Sequence, residues 1–341
     1  MNRKRFLSAV IPAGLMLSSF KIQASGLIGK KPERRIVPPF LRPGDSIGIT
    51  CPAGNISEEE VLPAKQLIES WGFNVIEGRT VGRRSFTQGG TDEERLADMQ
   101  EMLDNPDIKA IMCARGGYGA VRIIDKLDFR KFRMNPKWII GFSDITVLHC
   151  HLEHNYRIAS VHSKMCNSFP KVWSEADPVQ VETILSIKQA LMGNSMRYEA
   201  PHSAFNRRGS AEGILVGGNL RTIETLAGSN SDLVTQDRIL FVEDTGEYLY
   251  SLDRMFWNLK RSGKLSELRG LIVGGFKVKP DDPGEEFGKT IYEIVREKIQ
   301  EYNYPVCFDF PVGHQKNNFA LRCGTLHKLD VSDSGSILVS I

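Results

Sequence analysis

An α/β fold built on a parallel sheet is what this sequence predicts, and three observations predict it. Short Ile- and Val-rich runs alternate with helical patterns through the first half. The alternation breaks in a Pro-containing stretch, residues 166–210, and then resumes. Polar residues able to do chemistry fall just past the ends of the apolar runs, at the carboxyl ends of strands where such sheets bind ligands.

Taken in order, Pro38 to Asp45 opens the fold, and Ser46 to Cys51 reads as a first strand left through Pro52-Ala53-Gly54. Ser57 with Glu60 spells a capping box, so a helix follows through Trp71, and Phe73 to Ile76 returns as strand. A second capping box, Thr91 with Glu94, opens a helix through Leu103 in which Leu96, Met99 and Leu103 recur at helical spacing. Ile108 to Cys113 is the next strand and Tyr118 to Leu127 the next helix. Trp138-Ile139-Ile140 then ends a strand at Gly141, and from Asp144 the run Thr146, Val147, Leu148, Leu152 marks a helix. Ile158 to Val161 is the last strand of this half. Right-handed crossovers between such strands give a Rossmann-like, flavodoxin-like domain over residues 38–165, its sheet covered on both faces.

Residues 166–210 read as a connector with one helix around Val179 to Met192. A mixed α/β domain is expected over residues 211–341. Its strands fall at Gly213 to Val216, Ile239 to Val242, Leu271 to Val273 and Val306 to Phe308, and its helices at Leu220 to Ala227, Tyr250 to Arg261 and Thr290 to Tyr302. Ser334-Gly335 turns a closing hairpin between Leu326 to Val331 and Ile337 to Ile341. The two halves are expected to meet across a cleft.

The N-terminus has a different character. Asn2-Arg3-Lys4-Arg5 is basic, Phe6 to Phe20 is apolar but too short to span a membrane, and Ile22-Gln23-Ala24-Ser25 offers a small-residue cleavage site. Residues 1–24 therefore read as a signal peptide and 25–37 as a solvated spacer, which sends the protein to the periplasm; the alternative is an uncleaved leader on a cytoplasmic protein. Arg3-Lys4-Arg5-Phe6-Leu7 resembles a twin-arginine signal with Lys at the second Arg, so the export route stays open. Losing Arg3, Lys4, Arg5 and Lys21 takes the formal charge from +3 to about −1. That balance leaves no footprint for nucleic acid or an anionic membrane. Cys51, Cys113, Cys150, Cys166, Cys307 and Cys323 form no C-x-x-C pair and read as buried free thiols rather than a disulfide framework.

Ser143 sits on the strand-to-helix corner after Gly141, where a hydroxyl can be lifted from the sheet beside the N–H groups of a helix start. The pattern Gly-x-Ser-Asp lacks the second Gly of the usual elbow, and Ser143 or Asp144 could equally cap the helix. Arg115-Gly116-Gly117-Tyr118-Gly119 lacks both the dinucleotide fingerprint and the P-loop lysine, and suits backbone donors for an oxyanion better than a phosphate. Glu243-Asp244 ends one apolar strand, and His314 follows another in a Gly-flanked loop. A Ser, an acid and a His, each just past a buried strand, is the placement that nucleophile, orienting carboxylate and general base require. On a helix His151 and His154 share a face but His149 does not, and with neither His-Glu-x-x-His nor a facing Cys set present the three read as core-edge or solvated histidines rather than metal ligands. His162 could line the same cleft as Ser143.

Together, Arg42-Pro43-Gly44-Asp45, Thr91 to Arg95, Arg115 to Gly119, Asn135-Pro136-Lys137, Gly141 to Thr146, Gly217-Gly218-Asn219-Leu220, Glu243-Asp244 and Pro311 to His314 resemble the LD-carboxypeptidase family of serine peptidases. That family includes muramoyltetrapeptide carboxypeptidases and microcin C self-immunity peptidases, and the resemblance runs from about Phe40 to the last strands. It implies a nucleophile at Ser143, an orienting carboxylate at Glu243 and a general base at His314. It places oxyanion donors at the N–H groups of Gly116 and Asp144. It also implies a metal-free enzyme without cofactor, commonly a homodimer, that releases the terminal D-alanine of a murein tetrapeptide. The alternatives are a peptidase or amidase acting on a peptidyl-nucleotide, and an inactive murein-peptide binding protein. Where the family often shows His-Gly-Pro, this chain has His162-Ser163-Lys164-Met165, so His162 and Lys164 are expected at the substrate, with Lys164 placed to meet a carboxylate.

Overall fold

Residues 34–341 are described by a computed structural model. The expected leader, residues 1–24, and residues 25–33 of the expected spacer lie outside the described residues. The end of that spacer is already part of the fold: Arg35 donates to Glu153 Oε2 at 2.8 Å, and Ile36 bridges to Ile158. An arginine opposite a buried carboxylate, followed by an isoleucine, anchors the chain rather than solvating it.

The first sheet is built from β1 (Ser46–Thr50), β2 (Asn74–Glu77), β3 (Ile108–Cys113), β4 (Trp138–Gly141) and β5 (Ser160–His162), all parallel, in the order β5-β4-β3-β1-β2. The second contains β6 (Arg197–Ala200), β7 (Gly209–Asn219), β8 (Arg238–Thr245), β9 (Gly270–Lys277) and β10 (Val306–Cys307). A short β11 (Leu321–Cys323) follows, then the hairpin β12 (Leu326–Ser332) and β13 (Gly335–Ser340). The second sheet has the order β10-β9-β8-β7-β12-β13-β6, with β7 to β10 parallel and the remaining pairs antiparallel.

The α/β class is as expected, but the first sheet is mixed rather than purely parallel. β11 comes late in the chain, between strands of the second sheet, yet joins the first by pairing antiparallel with β5, Leu321 opposite His162 and Cys323 opposite Ser160. Three residues centred on an arginine carry too little periodicity to announce a strand. β6 escapes the sequence reading for a related reason: Arg197-Tyr198-Glu199-Ala200 alternates exposed and buried over only four residues inside the connector.

Both capping boxes form. Ser57 and Glu60 start the helix Glu58–Ser70, and Thr91 and Glu94 start Asp92–Asp104. The helix expected from Tyr118 to Leu127 shrinks to Ala120–Ile123 and a 3₁₀ turn, Ile124–Lys126. Gly116, Gly117 and Gly119 favour an irregular loop ahead of it, because glycine loses most entropy on entering a helix.

One buried apolar cluster spans both halves, from Met99, Ile139 and Leu148 to Leu220, Leu240 and Phe256. Within it the helix Thr146–Tyr156 packs against β7, and Asn219 N donates to Thr146 Oγ1 at 3.0 Å. The end of β7 is thereby pinned to the start of the helix that follows Ser143. All six cysteines are buried and free. Among the described residues no helix is long and apolar enough to cross a membrane.

Candidate active site

The corner after β4 is tight. Phe142 is extended, and Ser143 adopts φ 62, a left-handed conformation that a side chain rarely takes. A 3₁₀ turn, Ser143–Ile145, leads straight into the helix Thr146–Tyr156. Strain of this kind is sustained only where the surroundings over-determine it, and here β4 and the helix hold it from either side. The serine side chain is thereby turned out of the sheet.

β8 delivers Glu243 from the second sheet. Its side chain is fully buried, and its register neighbour on β7 is Asn219. His314 arrives on the loop after β10, in the segment Pro311 to Gln315. That loop is braced by Gly313 N donating to Asn318 Oδ1 at 2.7 Å and by Gly275 N donating to Val312 O at 2.9 Å. Gly313 has φ 107, and a Cβ there would stand 2.5 Å from Glu243 Cβ, so only glycine lets the loop approach the carboxylate this closely.

The three side chains meet. His314 Nδ1 lies 2.6 Å from Glu243 Oε2, and the His314 backbone N–H donates to the same oxygen at 3.2 Å. On the other side of the ring, Nε2 lies 3.2 Å from Ser143 Oγ. A carboxylate only accepts, so Nδ1 is the donor and Nε2 is left to accept the serine proton. The imidazole keeps a fifth of its surface exposed while its carboxylate partner has none. Phe142 packs on the ring with centroids 4.9 Å apart.

The Arg115 to Gly119 loop lies against this corner. A Cβ on Gly116 would stand 2.9 Å from Ser143 Cβ and 3.2 Å from its Oγ, so the loop backbone runs directly past the hydroxyl. Asp144 ties the loop in place, its Oδ2 accepting from Ala120 N at 2.8 Å. Burial pushes the Asp144 carboxyl up to about 6. Asp244, the neighbour of Glu243, is likewise pushed up to about 6 by burial, and it accepts from Asn219 Nδ2 at 3.1 Å and Arg221 N at 2.8 Å. Beside Ser143 and Asp144 a cavity of about 340 Å³ opens between the two halves.

Other expected residues lie elsewhere. His162 is fully buried, edge-on to Phe142 and Phe241 with centroids at 5.8 and 5.0 Å, and burial holds its pKa well below the ordinary value. It backs the ring that touches His314 and has no surface for a ligand. Lys164 is part-buried: its Nζ donates to Gln315 O at 2.6 Å and sits 5.7 Å from the Phe142 centroid. The lysine therefore ties the loop after β5 to the His314 loop. His149 is within 2.8 Å of Ser160 Oγ and 2.9 Å of Gly141 O, His151 within 2.9 Å of Ser231 Oγ, and His154 within 2.6 Å of Asp232 O. Among the described residues no group of three or more His, Cys, Asp or Glu side chains gathers as a metal site. Phe142, Thr146 and Asn219 are site residues to which the sequence assigned no part in the chemistry, although Phe142 and Thr146 belong to the Gly141 to Thr146 motif and Asn219 to the Gly217 to Leu220 motif.

A serine, an imidazole and a buried carboxylate in hydrogen-bond sequence, assembled from two α/β sheets, place this chain in the class of serine peptidases. Its residues 47–163 match the LD-carboxypeptidase N-terminal domain and residues 212–329 the LD-carboxypeptidase C-terminal domain. The chain belongs to the LD-carboxypeptidase family. It is 30% identical over 307 residues to a probable murein peptide carboxypeptidase of Bacillus subtilis, covering 88% of this chain and 93% of the relative. To a murein tetrapeptide carboxypeptidase of Pseudomonas aeruginosa it is 29% identical over 283 residues, covering 82% of this chain and 91% of the relative. The crystal structure of muramoyltetrapeptide carboxypeptidase from Oxalobacter formigenes superposes with a TM-score of 0.76 at 27% identity, over 86% of this chain and 98% of that one.

Proposed function

We propose that this protein is a murein LD-carboxypeptidase that releases the terminal D-alanine of tetrapeptide stems through an acyl-enzyme on Ser143. The observation that carries the reading is the run of contacts from Ser143 Oγ through His314 to Glu243, at 3.2 and 2.6 Å, in a member of this family. Ser143 Oγ attacks the carbonyl of the L-centre of the diamino acid while Nε2 takes its proton. The developing oxyanion is met by the N–H groups of Gly116 and Asp144. His314 returns the proton to the departing D-alanine amine, and a water activated by the same nitrogen then hydrolyses the ester. Glu243 holds the tautomer and offsets the charge on the imidazolium.

The basic and apolar run at residues 2–20 supports action outside the cytoplasm, on periplasmic murein peptides, with the triad built across residues 38–165 and 211–341 of a homodimer's subunit.

The reading is tested by incubating purified protein with a free murein tetrapeptide and following it by mass spectrometry. Loss of a single alanine is the expected result; an unchanged tetrapeptide would move the enzyme to another acyl donor. Gly116→Ala is expected to lower kcat by about 100-fold, since the added methyl pushes an oxyanion donor away from Ser143. An unaltered kcat would remove Gly116 from that role.

A further inference from the structure

A second cavity, sharing no residue with the one beside Ser143, lies between the 3₁₀ turn Cys166–Ser168, the helix Pro178–Leu191 and the segment just after His314. Its volume of about 350 Å³ falls in the range of small-molecule sites. Lys164 and Lys316 bring two ammonium groups to its wall, Asp177 brings one carboxylate, and Ile184 adds apolar surface.

The Lys164 ammonium lacks a counterion. It is part-buried, its Nζ donates to Gln315 O at 2.6 Å, and among the described residues no carboxylate forms an ion pair with it. Burial lowers its pKa against a weaker pull from Glu243, whose carboxylate is already taken by His314. A cation drawn out of water is costly until an anion or a full set of acceptors meets it, and one carbonyl uses one of three N–H donors. Lys316 is exposed, and its Nζ stands 4.0 Å from Asp177 Oδ2, the outer limit of an ion pair. Asp177 is engaged elsewhere: its Oδ1 accepts from Val179 N at 2.9 Å as the helix cap. Gln180 is occupied too, with Nε2 donating to Ser168 O at 2.9 Å. Thr183 differs from both. It is 1% exposed, it lines the cavity, and its Oγ1 has no hydrogen-bond partner. A buried hydroxyl left unpaired is uncommon in a native protein and calls for a group to meet it.

Two ammonium groups and an unpaired hydroxyl, beside a carboxylate already in use, suit an incoming dianion with several acceptor oxygens. A phosphate group brings close to two charges and three such oxygens, where a single carboxylate brings one charge and two. We propose that this cavity is a second ligand site, binding the phosphate group of the free ion or of a small phosphomonoester between Lys164, Lys316 and Thr183.

The test titrates the whole protein with inorganic phosphate or glycerol 1-phosphate by calorimetry, at about pH 8, where the ester has lost its second proton. Sodium chloride at matched ionic strength is the blank, because it screens charge without filling the site. Saturable binding beyond the blank is the expected result. Lys316→Gln should weaken it by about tenfold, the scale of one charge-assisted contact. Asp177→Asn keeps a residue equally able to cap the helix and removes the competing charge, so it should tighten binding, a gain that damage to the fold would not produce. Tighter binding of the ester would give the rest of the cavity to its body, and equal affinities would give the site to the free ion. No saturable binding beyond chloride, acetate bound as tightly as phosphate, or affinities that neither variant moves would overturn the assignment.

Discussion

Ser143→Ala is expected to abolish D-alanine release, with kcat falling by about 10⁴-fold or more and KM for the tetrapeptide little changed. Ser143 Oγ is the atom that faces His314 Nε2, so removing it deletes the acceptor of the acyl group and leaves the imidazole with nothing to deprotonate. The backbone at φ 62 is no easier for alanine than for serine, so the melting temperature should barely move and the loss can be read as chemical. Intact-protein mass spectrometry on quenched reactions offers a second readout. Wild type should carry the tripeptide-acyl adduct and the variant none. A variant that keeps a tenth of wild-type activity, as an order of magnitude, would mean that the nucleophile is not Ser143.

Glu243→Gln is expected to cost nearly as much, about 10⁴-fold in kcat, without disturbing the shape of the site. The substitution is isosteric at a fully buried position, but it replaces an acceptor with a group that can also donate. The amide oxygen can still accept from Nδ1 and from the His314 backbone N–H, but it carries no charge to offset the imidazolium that forms when Nε2 takes the serine proton. General-base catalysis is then lost although every atom remains within about its original distance. Activity that returns at high pH, where hydroxide can replace the imidazole as base, would agree with this account. Full activity at neutral pH would show that the carboxylate plays no part in orienting the histidine.

Much of this was legible in the sequence for specific physical reasons. Strands β4 and β8 and the starts of β3 and β9 lie inside their sheets and are largely buried on both faces, so they write themselves as apolar runs, broken in β3 only at Lys109, and the residues just beyond them were marked by position alone. The capping boxes at Ser57 and Thr91 are local chemistry and need no tertiary information. Contacts between remote segments left no such mark. Nothing near His162 says that Phe142 and Phe241 will wall it off, and nothing near Lys164 says that Gln315 O will take its ammonium. The opposite charges of Arg221 and Glu247 on the wall of the cavity beside Ser143 were hidden for the same reason. Arg221 and Glu247 are twenty-six positions apart, and only the turn of the chain at the ends of β7 and β8 brings them together.

The brief strand Leu321–Cys323 sets a timetable for the chain's birth. Until it exists, the outer side of β5 carries backbone groups with no strand to pair with, and about 160 residues of synthesis separate the two. At ordinary elongation rates that interval lasts roughly 8–30 s. Throughout it, the layer bearing Ser143 is an unfinished sheet with one raw margin. A chain ended before residue 321 would keep that margin for good, and adjacent copies could add to it strand by strand.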